Sequence, residues 1–350
     1  MNKPAVLVCV ALLAAYSSRS AFTVSAAQAG GPSVAHLDLN DVVALQALGY
    51  DALRQDDTNT AIAAFTELAR THPQEPSAQD SLGEALMAAG RFKDAEAAFR
   101  KALALSPRFW QAHEGIAFAR FYAGDTAGAR EQWAIARELG TSPVNTFRID
   151  ADMAAAALAK NDTVEAIRIL VDTARGVDQD PQRVAAAGSL LAETLIVAER
   201  PRDALTVVAE VLKVVDGGQL PPGPTRNHRR NALRARVAAE ALLRDVAAAR
   251  RTSAALDADA ASHADEGVAQ DAMHFGRGAL AAASGDWAAA RGHFDQCAGA
   301  DLWCRWHGVM AAKKAGDNAG AAAGRDSLLK LYLRSSGHMI IRSKLTNIEA

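Results

Sequence analysis

Three observations predict an all-α protein built as an α-solenoid of stacked helical hairpins. The first is composition: half of the 350 residues are apolar but only 5% are aromatic, and alanine is abundant throughout. Close-packed helices suit that balance, whereas a sheet draws on β-branched and aromatic side chains. The second is a recurrence of small, aromatic and proline positions every 34 residues near the N-terminus. The third is punctuation, with short turn phrases containing Gly, Asn or Asp returning along the chain. A chain of this length can bury a large core.

The N-terminal stretch stands apart from the fold. Residues 1–29 join a basic start at Lys3, an apolar run from Ala5 to Ala15 and the small-residue ending Ala27-Gln28-Ala29. That is the pattern of a cleaved secretory signal peptide, and the apolar run is too short to span a bilayer. The expected mature protein is periplasmic or secreted and not integral to a membrane. Cleavage removes Lys3 and Arg19 but no acidic residue, so the formal charge of −2 becomes slightly more negative. A mildly acidic chain is not a general binder of polyanions. Residues 30–40 read as a linker.

The repeats begin near residue 41. In "SLGEALMAAGRFKDAEAAFRKALALSP", residues 81–107, Leu82-Gly83, Ala95, Phe99 and Pro107 fall 34 residues after Leu48-Gly49, Ala61, Phe65 and Pro73. A further 34 residues bring Ile116-Ala117, Gly124, Ala129 and Trp133 into the places of Leu82-Gly83, Gly90, Ala95 and Phe99. Gly83 and Ala117 permit close approach of the first helix, Phe99 fills space between units, Gly90 and Gly124 follow a helix end, and Pro107 stops the second helix. The phrases "KNDTVEA", "ERPRDAL", "SGDWAAA" and "AGDNAGA" continue the rhythm, with alanines at 166, 204, 290 and 321 in second helices. About eight units result: five over residues 41–215 and three degenerate ones over 231–333. Between them "DGGQLPPGPTRNHRR", residues 216–230, reads as an extended loop, because its glycines and prolines oppose a regular helix. Residues 334–350 carry Met339, Ile340 and Leu345, suited to a C-terminal capping segment.

These positions resemble the tetratricopeptide repeat, with its early Leu-Gly, its second-helix Ala and aromatic, and its exit Pro. The resemblance implies a right-handed superhelix whose default role is to bind protein or peptide. In that family the first helix of each unit lines the concave groove. Counted from Leu-Gly, the groove residues are then Gln46, Tyr50, Asp80, Glu84, Met87, Glu114, Phe118 and Phe121. The heat-shock-chaperone branch holds a C-terminal carboxylate with Lys, Asn and Arg at such places, whereas this chain has Gln46, Tyr50, Ser77, Asp80 and Glu114. An acidic, aromatic lining instead fits a partner segment with basic and apolar residues, in extended or helical form.

Enzyme signatures are missing: there is no Gly-rich loop ending in Lys-Ser/Thr, no nucleophile elbow and no His-Glu zinc helix. The expected protein is a non-catalytic adaptor or scaffold in a bacterial cell-envelope assembly, with no cofactor. Arg229, Arg230 and Arg234 belong to the main basic cluster, a secondary surface for an acidic partner or lipid headgroups. No aromatic residue interleaves it, which argues against nucleic acid. In "HFDQCAGADLWCRWH", Cys297 and Cys304 are the pair left after signal cleavage. An oxidising compartment favours a disulfide between them. The alternatives are free thiols or a metal site formed by His293, Cys297, Cys304 and His307, which would make the chain an accessory or metal-handling protein for an exported enzyme.

Overall fold

The computed structural model describes residues 42–345 apart from 141, 176–179 and 299–300. The signal peptide and linker of the sequence analysis lie outside the described residues. Seventeen α-helices follow one another, and no strand occurs among the described residues. They are α1 Val42–Arg54, α2 Thr58–Thr71, α3 Pro76–Ala88, α4 Phe92–Leu105, α5 Trp110–Tyr122, α6 Thr126–Leu139, α7 Pro143–Ala159, α8 Thr163–Ala174 and α9 Pro181–Val197. The chain continues with α10 Pro201–Asp216, α11 Pro222–Leu242, α12 Val246–Ser262, α13 Gly267–Ala283, α14 Trp287–Phe294, α15 Leu302–Lys314, α16 Asn318–Leu329 and α17 Ser336–Leu345. The first sixteen form eight successive helical hairpins, each packed on the next, and the result is an all-α solenoid.

One local device makes each hairpin turn. A residue in the left-handed region ends the first helix in all eight, and in six the following Asp caps the second helix, while Arg91 and Arg200 make no side-chain cap bond. Gly124, Asn161, Arg244, Gly285 and Gly316 have φ of +93°, +60°, +56°, +81° and +83°. Each is followed by an Asp whose carboxylate accepts the backbone N–H three residues on: Asp125 from Gly128, Asp162 from Glu165, Asp245 from Ala248, Asp286 from Ala289 and Asp317 from Gly320. The carboxylate satisfies an otherwise orphaned donor at the helix start.

Between hairpins, aromatic rings press on glycine. A Cβ at Gly83 would come 2.6 Å from the Phe99 ring, and one at Gly115 would come 2.5 Å from it. Phe99 therefore sits between the first helices of its own unit and the next, fully buried. Phe65 covers Gly49 in the same way in the preceding unit. The 34-residue recurrence is thus a packing recurrence.

Two expectations about the second half need correction. The extended loop shrinks to the few residues before Pro222, because α11 starts there. Pro222 and Pro224 occupy its first turn, where a proline's missing N–H costs no hydrogen bond. The C-terminal segment also does more than cap the last hairpin. Residues 331–335 lack helical structure, and α17 packs chiefly on α7 while also touching α9, α15 and α16. Met339, Ile340, Ile341 and Leu345 of α17 are almost completely buried.

Candidate protein-binding groove

The first-helix positions form two columns at 34-residue spacing: Gln46, Asp80, Glu114 and Arg148 make one, and Tyr50, Glu84, Phe118 and Asp152 make the other. They come from α1, α3, α5 and α7. Sequence reasoning stopped at the third unit and missed Arg148 and Asp152, which one more step of the same period would have found. It also missed Arg334, for which no periodic signal exists.

Arg334 is the centre of the cluster. Its guanidinium donates to Glu114 Oε2 at 2.6 Å, to the Gln111 carbonyl at 2.9 Å and, more weakly, to Asp80 Oδ2 at 3.4 Å. It also lies over the Phe99 ring, 5.7 Å from the centroid. Its side chain is only 9% exposed and that of Glu114 only 2%. Arg148 approaches the Glu114 carboxylate to 2.7 Å and covers the Trp110 ring at 4.7 Å. Burial pulls the Arg334 pKa down, but Asp80, Glu114 and Glu84 together push it well above the ordinary value. The carboxyl groups respond oppositely: burial raises Asp80, Glu84 and Asp152, each also pushed by Glu114 and opposed by Arg334 and Arg148.

The segment around Arg334 is held at several further points. Tyr332 packs edge-on against Phe92 at 4.9 Å and Tyr122 at 5.4 Å, with the Arg342 guanidinium 4.8 Å from its own ring centre. A Cβ at Gly90, where φ is +74°, would be 3.3 Å from the Tyr332 ring. The Tyr122 hydroxyl donates to the Leu333 carbonyl at 2.6 Å and lies 2.9 Å from His338 Nδ1.

The other expected groove residues divide. Tyr50 is half-buried, shares a hydrogen bond with Ser81 at 3.1 Å and meets Phe65 edge-on. Gln46 and Phe121 are half-buried. Met87 and Phe118 are 1% exposed, so they belong to the core and do not line a groove. Repeat counting put them on the right helices, but hairpin stacking turns those positions inward.

The second half holds its own buried cluster. Arg234 contacts Asp301 at 2.8 Å and covers Phe275 at 4.6 Å. Burial pushes Glu193 up to about 7 and His307 down to about 3. The expected basic surface is not free. Arg229 pairs with Asp216 at 2.6 Å, Arg230 with Asp259 and Glu266, and Arg234 with Asp301. Arg230 and Arg234 are internal struts, because helix packing brings distant carboxylates to them. Cys297 and Cys304 are joined by a disulfide that ties the end of the seventh hairpin to the start of the eighth. Bridged sulfurs leave no thiolates for the metal alternative. His307 lies among Phe275, Phe294 and Trp306, and His293 faces His274. No group of three or more His, Cys, Asp or Glu side chains able to hold a metal ion occurs among the described residues. No helix among them is long and apolar enough to cross a membrane.

Residues 47–113 match the family model of the tetratricopeptide repeat. No curated protein matches the sequence. Among solved structures, the chain is similar to a tetratricopeptide repeat protein from Parabacteroides merdae at 12% identity and TM-score 0.47, covering 77% of this chain and 98% of that one. It is also similar to PilF of Pseudomonas aeruginosa at 16% identity and TM-score 0.36, covering 77% and 97% of the two chains. A third similarity, to the C-terminal part of a repeat protein from Cytophaga hutchinsonii, has 12% identity and TM-score 0.42 over 83% and 95%.

Proposed function

We propose that this chain, whose residues 47–113 match the tetratricopeptide repeat, is a non-catalytic scaffold that holds a partner protein on the first-helix face of its N-terminal units, within an exported cell-envelope assembly. Stacked hairpins offer an extended surface made by successive first helices, and their usual use is protein binding. The observation that carries the reading is the acidic face at Asp80, Glu84 and Glu114, on which a non-helical segment bearing an arginine and an aromatic ring is already seated. Such a face suits a partner segment with basic and apolar residues. Export rests on Lys3, the apolar run and Ala27-Gln28-Ala29, and the Cys297–Cys304 bridge fits an oxidising compartment.

Photo-crosslinking in intact cells tests the scaffold reading. A photoreactive residue at Gln46, at the end of the acidic column, is expected to capture a discrete protein. One at Val164, an exposed position on a second helix, is expected to capture none. Equal capture at both positions, or none at Gln46, would reject binding at this face. Export is checked separately by N-terminal sequencing of the chain from envelope fractions, which is expected to begin near residue 30 and would contradict export if it began at Met1.

A further inference from the structure

Contacts in a solenoid run mainly between neighbouring units. Arg334 instead meets Glu114 and Asp80 across 220 and 254 residues of sequence. Hairpin stacking does not need this contact, since each unit already buries its apolar residues against the next. Residues 331–335 lie against the face without helical structure, gripped through two side chains and one carbonyl: Arg334 among carboxylates, Tyr332 among Phe92 and Tyr122, and Leu333 O on the Tyr122 hydroxyl. That is how an extended peptide is read by pockets along a surface.

The cradle is also more acidic than its occupant requires. Asp80, Glu84, Glu114 and Asp152 surround only two guanidinium groups, Arg148 and Arg334. Asp152 is 3% exposed and its Oδ2 has no hydrogen-bond partner among the described residues. A buried acceptor without a donor costs free energy that a better-supplied ligand would recover. We propose that this cradle is a recognition site for an arginine in an extended protein segment carrying an aromatic side chain two residues earlier, and that Tyr332 and Arg334 fill it in cis until a partner segment of the same chemistry displaces them. The inference rests on the scaffold reading above and names the partner's chemistry.

A tethered occupant competes at an effective concentration of millimolar order. The consequence is selectivity: single basic side chains are kept out, and only a segment that supplies the aromatic as well as the arginine exchanges with the chain's own. A partner that brings a further hydrogen-bond donor has an additional advantage, because it can meet Asp152 Oδ2.

The test uses the full chain and a labelled peptide copying residues 330–336, Lys-Leu-Tyr-Leu-Arg-Ser-Ser, followed by fluorescence anisotropy. Arg334→Ala is expected to bind the peptide at least tenfold more tightly than the wild-type chain, and a peptide with alanine in place of its arginine is expected to bind neither. Equal affinity for wild type and variant, or binding that ignores the peptide's arginine, overturns the proposal. Should Arg334→Ala fail to fold, Tyr332→Ala replaces it, with the same tenfold gain expected. Hydrogen exchange on the wild-type chain gives an independent measurement: saturating peptide is expected to accelerate exchange across residues 331–342, and unchanged protection overturns displacement. Crosslinking at Gln46 with no peptide effect leaves the scaffold intact and removes this inference. The reverse outcome keeps the cradle and removes the partner reading.

Discussion

At the scale of single residues, buried ionisable groups set how stability responds to pH. Burial raises the Glu193 pKa from 4.5 to about 7, with Arg234 opposing and Asp301 reinforcing the shift. A carboxyl whose folded pKa lies above its unfolded value contributes stability that is full below 4.5 and lost as pH rises through about 7. Burial lowers His307 to about 3 and His338 to about 4 from an ordinary 6.5. These contribute stability present above 6.5 and lost as pH falls toward those values. Between about 4.5 and 6.5 the two histidine slopes outweigh the single carboxyl slope, so on these groups stability is expected to rise with pH to about 6.5 and to fall only slightly from there to about 7. Urea unfolding across pH 5 to 9 checks this. Glu193→Gln is expected to steepen the rise of stability between about 4.5 and 7, by up to about 3 kcal/mol across that window. An unchanged slope in that variant would show that Glu193 does not oppose the histidines.

At the scale of elements, the hairpin turn is the repeating unit of design, and it is not equally well made everywhere. Arg244 holds φ at +56° where Gly124, Gly285 and Gly316 do the same task without a Cβ. A left-handed conformation costs a non-glycine residue roughly 1–2 kcal/mol, partly offset by the greater unfolded-state freedom of glycine. Arg244→Gly is therefore expected to raise stability by about 0.5–1 kcal/mol, read as a higher urea midpoint at unchanged m-value. Gly115→Ala acts in the other direction, because its Cβ would fall 2.5 Å from the Phe99 ring, which Gly83 confines from the other side. Overpacking of this kind costs about 1–3 kcal/mol. A neutral result would mean that α4 and α5 separate freely. The Cys297–Cys304 bridge belongs to this scale too. It closes a short loop, so replacing both cysteines by Ser is expected to cost about 2 kcal/mol. Hydrogen exchange should then rise in α14–α16 while α3–α5 keep their protection; loss of protection throughout would show tighter coupling than neighbour stacking provides.

At the scale of the whole molecule, the solenoid bends so far that its end returns to its beginning. Residues 331–335 reach α3 and α5, α17 fills the space beside α7 and α9, and the Asp56 carboxylate of the first hairpin opposes the effect of burial on Arg305 of α15. An open array of repeats frays from its ends. Here the C-terminal segment joins early units to late ones, so displacement of Arg334 bears on both.

The repeat period, the eight hairpins, their turns and the Cys297–Cys304 pair were legible in the sequence by itself, because each depends on residues close together in the chain. Leu82-Gly83 and Phe99 report a packing rule between neighbours, and Gly124-Asp125 reports a local backbone need. The acidic face was half legible: Asp80, Glu84 and Glu114 follow from the period, and so would Arg148 and Asp152 have done. What tertiary structure alone decided is which of those positions meet something else. Met87 and Phe118 turned into the core, Arg230 and Arg234 found carboxylates brought by neighbouring hairpins, and Arg334 found Glu114. The first two follow from how neighbouring hairpins stack, and the last depends on the accumulated bend of many hairpins, which no single repeat encodes and sequence spacing does not measure.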